Sequence, residues 1–208
     1  MSILLDYDTY VPLILPSTAE FALVSNTLFS TSGLSGHIKT YEAPGTRWRL
    51  RMSFIDVTQD NLAPVRAFVS ALRGMAGRFT CYDFTHPEPF VTCTGAIQVD
   101  GTPGNNTTIP HTALSGGSFT PGDYISIVRS GTSGDVELKL IVAVPTSTSV
   151  TVEPPLQVLP LSNYSGDNIS YLKPTALFML TSDAQGIWRT QGKGRLQSLD
   201  LEASEVFI

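Results

Sequence analysis

One stretch of this chain has the period of an amphipathic helix, while nearly everything around it has the period of a strand. The fold is therefore expected to lay a single helix on a sheet. Across residues 58 to 76, Leu62, Val65, Phe68, Val69 and Leu72 recur at spacings of three and four, which makes one apolar stripe. Thr58 and Asp60 offer side-chain oxygens for the helix N-terminus, and Gly74 and Gly77 are placed to end it. Pro64 is tolerable only in a first turn, where its missing N–H would have no partner anyway. Just upstream, Arg47-Trp48-Arg49-Leu50-Arg51-Met52-Ser53-Phe54 alternates polar and apolar residues without a break. A period of two puts Trp48, Leu50, Met52 and Phe54 on one face and Arg47, Arg49 and Arg51 on the other. Phe79 to Phe84 resumes the strand rhythm after the helix. Such a helix, set between two half-buried strands, packs most simply across the open face of a sheet.

The rest of the chain divides by texture. Residues 87 to 168 carry no helical pattern but many short β-branched runs, among them Val91 to Thr94, Tyr124 to Val128, Val136 to Val144 and Ser149 to Val152. Turn residues separate them, as at Asp100-Gly101, Gly116-Gly117 and Pro121-Gly122-Asp123. About five or six short strands of this kind are expected to close, fully or nearly, into a small barrel, because closure removes exposed edges. Two more strand candidates follow at Ala176 to Thr181 and Gly194 to Phe207, the latter alternating Leu199 and Leu201 with Asp200 and Glu202. Two strands alone are marginal in water, so they are expected to return to the first sheet. The chain then reads as a discontinuous domain, 1–86 with 169–208, interrupted by a barrel over 87–168, with His86-Pro87-Glu88-Pro89 as a linker.

Composition narrows the functional classes. Hydrophobic residues make up 42 % of the 208, enough to fill a core, whereas charged residues make up only 15 %. A typical soluble domain has about 25 % charged residues, so this surface is expected to make extensive contact with other proteins. The net charge of −5 is the wrong sign for gripping phosphate backbones, although it would suit the wall of a passage for DNA. No stretch approaches the roughly 18 consecutive apolar residues of a membrane span, and Met1 to Asp6 lacks the pattern of a secretion signal. The product is accordingly expected to stay soluble where it is made, with Cys81 and Cys93 reduced and the sequons at Asn105, Asn106, Asn163 and Asn168 unused.

Candidate chemistry is sparse. Cys81, Asp83, His86, Glu88 and Cys93 cluster in sequence, but neither the C-x₂₋₄-C nor the H-x₃₋₅-H spacing of a zinc site is present. His37, His86 and His111 could pair with a nucleophile, yet there is no Gly-x-Ser-x-Gly elbow. Gly101-Thr102-Pro103-Gly104 and Gly192-Lys193-Gly194 lack the spacing of a phosphate loop and read as turns. No enzymatic activity, metal or cofactor is expected. Arg47, Arg49 and Arg51 read either as a solvated face that blunts a sheet edge or as an inter-subunit contact with Asp200, Glu202 or Glu205 of a neighbour. Trp188 reads as a core plug or as an exposed anchor for a partner, and Phe119 and Tyr124 as barrel-rim residues or as platforms for sugar rings.

The order of these motifs is itself informative. A Trp-containing alternating strand (Arg47 to Phe54) precedes a helix ending in Leu72-Arg73-Gly74, and Gly77-Arg78-Phe79 then leads a strand. A barrel follows with a Pro-Gly-Asp-Tyr-Ile turn (Pro121 to Ile125) and a Val-Glu-Pro-Pro-Leu segment (Val152 to Leu156). Over nearly the full chain this order resembles the distal tail proteins of long, non-contractile-tailed bacteriophages. The resemblance implies a mainly β fold: a discontinuous β-sandwich with one α-helix, and an inserted barrel of oligonucleotide/oligosaccharide-binding type. It further implies a structural virion protein of the tail tip that forms a homo-oligomeric, hexameric ring. That ring would join the tail tube protein to hub, fibre or collar proteins and leave a channel for DNA, without specific nucleic-acid binding or membrane insertion. The protein would reside in the virion after assembly in the host cytoplasm. The competing expectation is a carbohydrate-binding or adhesin-like module in which the barrel touches the host surface.

Overall fold

Residues 47 to 54 take their alternation into the middle of a sheet. The computed structural model describes residues 4–11, 14–129, 135–184, 189–191 and 196–207. It begins with β1 (Leu4–Asp6), a short helix α1 (Tyr7–Tyr10), β2 (Thr18–Val24), β3 (Thr27–Thr31) and β4 (Ile38–Glu42). Next come β5 (Arg47–Thr58), the helix α2 (Gln59–Leu72) and β6 (Arg78–Tyr82). The middle of the chain supplies β7 (Ile97–Gln98), β8 (Thr108–Pro110), β9 (Tyr124–Val128), β10 (Val136–Thr146), β11 (Ser149–Glu153) and β12 (Asn168–Ser170). The last described strands are β13 (Thr175–Leu180), β14 (Arg189–Gln191) and β15 (Leu196–Glu205).

The protein is mainly β. Its first sheet has the order β1-β6-β13-β15-β5-β2, with β14 added on β15. Within it β6 pairs directly with β13, Phe79 opposite Phe178 and Tyr82 opposite Thr175, although these strands flank the whole middle of the chain. The second sheet, β7-β12-β9-β10-β11-β8, is built wholly from that middle segment. A bridge between Val99 and His111 and the bonds Asp100 N–H to Pro110 O (3.0 Å) and Thr112 N–H to Gln98 O (2.9 Å) join its two edges into a barrel. The Lys173 N–H donates to Pro87 O at 2.7 Å, so the departing and returning segments run side by side.

Each sheet has its own core. Leu62, Val65, Phe68, Val69 and Leu72 of α2 are all buried, against Trp48, Leu50, Met52, Phe54, Phe79, Phe178, Leu199 and Leu201. Phe68 meets Tyr7 and Phe79 edge-on at 5.3 Å, so α1, too short to announce itself by period, still seals one side of the helix. Ile97, Ile109, Ile125, Ile127, Ile141, Val150, Val152 and Tyr164 fill the barrel. Cys81 lies in the first core and Cys93 in the second, both as free thiols.

The helix differs from its expected outline at both ends. Thr58 occupies the N-cap position but makes no side-chain cap bond, and Pro64 sits inside the helix as its sixth residue rather than in its first turn. The ordered helix stops at Leu72, with Gly74–Ala76 forming a separate 3₁₀ turn. Its left-handed C-cap is Arg73 (φ 54), one residue before the glycine expected there. A side chain in that region is strained where glycine is not. Arg73→Gly, at an exposed position, should therefore stabilise the protein by up to about 1 kcal/mol, read as a higher urea midpoint at unchanged slope.

A second left-handed residue, Asp56 (φ 53), marks a β-bulge in β5. Phe54 faces Leu199 while Val57 faces Gln197, so Ile55 and Asp56 together oppose Ser198 alone. The bulge breaks the alternation and turns both Ile55 and Asp56 to solvent.

Candidate functional site

The outward face of the first sheet is laid out in cross-strand rows. Thr18, Ser53 and Asp200 form one row, and Glu20, Arg51 and Glu202 form the next. Ala22, Arg49 and Ser204 follow, and then Val24 with Arg47. Arg51 therefore stands between two acids of its own chain, and Asp200 accepts the Ser53 hydroxyl at 2.6 Å. Arg49 and Arg47 have no acid opposite them. They line a cleft of about 390 Å³ together with Ser25, Asn26, Thr181 and Ser204.

The other expected contact residues fall elsewhere. Glu205 is not on this face: it shares the parity of Leu199, Leu201 and Ala203, is fully buried, and accepts the Trp48 backbone N–H at 2.9 Å. Burial removes it from any contact with a neighbour. Phe119 is buried in the barrel core, edge-on to His111 at 5.6 Å and to Tyr171 at 6.0 Å. The half-buried Tyr124 ring is taken up by Trp48 (5.5 Å), His86 (5.8 Å) and Phe21 (6.3 Å), because β9 turns it toward the first core. Both are packing residues, and neither presents an open ring face to a sugar. Trp188 and the Gly192-Lys193-Gly194 turn lie outside the described residues.

A buried polar network ties the two sheets together. The Trp48 indole donates to Leu138 O at 3.0 Å, and Leu138 itself packs in the first core. One residue on, the fully buried Lys139 ammonium sits 2.8 Å from Glu137 and donates to Pro155 O at 3.0 Å. Glu137 also accepts the Tyr164 hydroxyl and the Gln157 N–H. Every charge here has a partner, as buried charges require.

Desolvation lifts the Glu205 carboxyl to about 7, against the opposing pull of the Trp48 N–H and the Lys139 charge. A raised carboxyl stabilises the folded state fully below the unfolded value near 4.5 and loses that contribution as pH rises through about 7. Stability should thus decline from about pH 5 to about pH 8, and Glu205→Gln should flatten that decline. Thermal midpoints across this range test it, and parallel profiles for the two proteins would refute it.

The five residues considered for catalysis do not converge. Cys81 lies in the first core and Cys93 in the second, and Asp83 accepts the Thr85 N–H and hydroxyl. His86 stacks on Phe90 at 4.2 Å with its Nε2 3.6 Å from the buried Asp123. Burial pushes the Cys81 thiol well up, away from the thiolate form that a nucleophile needs. Among the described residues no group of three or more His, Cys, Asp or Glu side chains is placed to hold a metal ion. Among them also, no helix is long and apolar enough to cross a membrane.

What the sequence reading missed is an arm. β3 and β4 pair as a two-stranded hairpin separate from both sheets, and all ten of their residues are exposed. Leu28 and Tyr41 share one face of it and Phe29 and Ile38 the other, with Leu34 fully exposed at the tip. Its base is pinned where Ala43 N–H donates to Asn26 O at 2.7 Å and the Asn26 side chain donates to Pro44 O at 3.0 Å. Ser32-Gly33 and Ser35-Gly36 between two β-rich runs were the available signal. Comparison with known protein families and with curated proteins gives no match to this chain.

Proposed function

We propose that this protein is a structural component of a long-tailed bacteriophage tail tip, forming a ring, hexameric by resemblance, between the tail tube protein and the hub, fibre or collar proteins. The single observation that carries the reading is topological. A helix-covered sheet is interrupted between two neighbouring strands by a closed barrel, in the arrangement that the motif order implies for distal tail proteins. The burial of Phe119 and the packing of the half-buried Tyr124 against Trp48, His86 and Phe21 weaken the sugar-binding alternative, since both rings are engaged within the chain. The outward face, where Arg47 and Arg49 have no acid opposite, and the exposed apolar arm supply assembly surfaces.

Cryo-electron microscopy of the tail end, with a tag in the barrel loop near Asn105, tests this directly. A ring around the tail axis with the tag pointing outward is the expected image, and absence of the protein from particles would sink the proposal. In the same system Arg49→Glu should reduce tail assembly at least tenfold while leaving the isolated chain folded, because Arg49 has no acid opposite it to satisfy. Normal assembly by that variant would remove Arg49 from the interface.

A further inference from the structure

The two ends of β5 carry surfaces that match each other and cannot meet within one molecule. At the Arg47 end stand the exposed arm, with Leu28, Phe29, Ile38 and Tyr41, and the Arg47/Arg49 cleft beside its base. A hairpin that is apolar on both faces is marginal in water by itself, so it calls for cover. At the Thr58 end lies a groove of about 580 Å³ between the bulged end of β5 and the start of α2. Ile14, Leu15, Val57 and Pro64 line it, and exposed Asp56 and Asp60 place two carboxylates there. Leu15 is 66 % exposed, which leaves an apolar side chain of the groove open to solvent. One surface is therefore apolar with two arginines, and the other apolar with two aspartates.

Geometry rules out the intramolecular match. The eleven steps from Arg47 to Thr58 span about 36 Å at the rise of a strand, whereas a sixteen-residue hairpin reaches about 25 Å from its pinned base. We infer that copies of this chain associate head to tail, the β3–β4 arm and Arg47/Arg49 cleft of one copy seating on the groove at Ile14, Leu15 and Asp56/Asp60 of the next. Such a heterologous contact closes into a ring when its rotation divides a full turn, and otherwise runs on as a filament. The inference deepens the tail-ring reading and rests on it for the closed form.

Charge-swap complementation tests the contact. Arg47→Glu with Arg49→Glu makes a head variant, and Asp56→Arg with Asp60→Arg makes a tail variant. In sedimentation velocity the wild-type chain should self-associate, and each variant alone should do so at least tenfold more weakly, because like charges then face each other. A 1:1 mixture of the two should recover assembly, since every head–tail pair is again opposite in charge. Undiminished assembly by either variant, or no recovery on mixing, overturns the contact. Leu15→Cys with Phe29→Cys in one chain gives a second measurement, as the two native cysteines are buried. Mild oxidation of that protein at high concentration should produce a covalent ladder, and a chain that stays monomeric in both assays also overturns the contact. The two proposals fail separately. A tail ring in particles that is indifferent to the charge swap refutes only this contact, and charge-swap recovery by a protein absent from particles refutes only the tail assignment.

Discussion

Lys139→Ala should destabilise the protein by about 3–5 kcal/mol, the usual cost of stripping the counter-ion from a buried charge. The Glu137 carboxylate would stay fully buried, keeping the Tyr164 hydroxyl and the Gln157 N–H but losing the ammonium 2.8 Å away. Pro155 O would lose its donor in the same step. For a chain of this size the loss corresponds to a fall in melting temperature of about 10 °C. Replacing both charges, Glu137→Gln with Lys139→Met, should recover most of it, because the penalty lies in the unpaired ion and not in the absence of the pair. Urea denaturation of the three proteins decides the matter. A single-variant loss below about 1 kcal/mol would mean that water reaches Glu137 and that the pair is no structural tie.

Trp48→Ala should cost a similar amount, about 3–5 kcal/mol, from the cavity left by a large buried ring. Trp48 packs 5.2 Å from Phe21 and 5.5 Å from Tyr124, so its loss opens the first core where the barrel leans on it. Its indole N–H is also the donor that crosses to Leu138 O. Trp48→Phe separates these contributions: it keeps most of the volume, leaves the carbonyl without its donor, and should cost about 1–3 kcal/mol. Limited proteolysis gives a second readout. Trp48→Ala should expose the connecting segment around Thr85 to Phe90 to cleavage sooner than the wild type, and an unchanged digestion pattern would confine Trp48 to the core of its own sheet.

Legibility followed physical type. The α2 stripe, the buried face of β5, the return of β13 and β15 and the barrel segment were all readable, because each is a local period acting on a whole element. The arginine row was readable as a face, but which of its members is engaged was not. Arg51 lies between Glu20 and Glu202 only through a pairing of β2, β5 and β15 that brings together residues some 30 and 150 positions away. Glu205 carried a signal that was passed over, since it falls on the same parity as Leu199 and Leu201 in a strand whose other acids point outward. Glu137 and Lys139 gave no such hint. β10 looks half-exposed by period, yet its first four residues, Val136 to Lys139, are buried on both sides, between the barrel interior and the first sheet.

The sequence by itself thus determined the strongly periodic elements, α2, β5 and β15, with their inward faces, and the mainly β class, because 3.6- and 2-residue periods record which side of an element meets apolar surroundings. The tertiary structure decided what covers the other side. It packed the half-buried Tyr124 against the first core, buried Glu205, Glu137 and Lys139, turned Ile55 and Asp56 outward at a bulge, and left the β3–β4 arm in solvent. Exposure of a second face depends on whether another element arrives there, and a residue's sequence neighbours do not encode that.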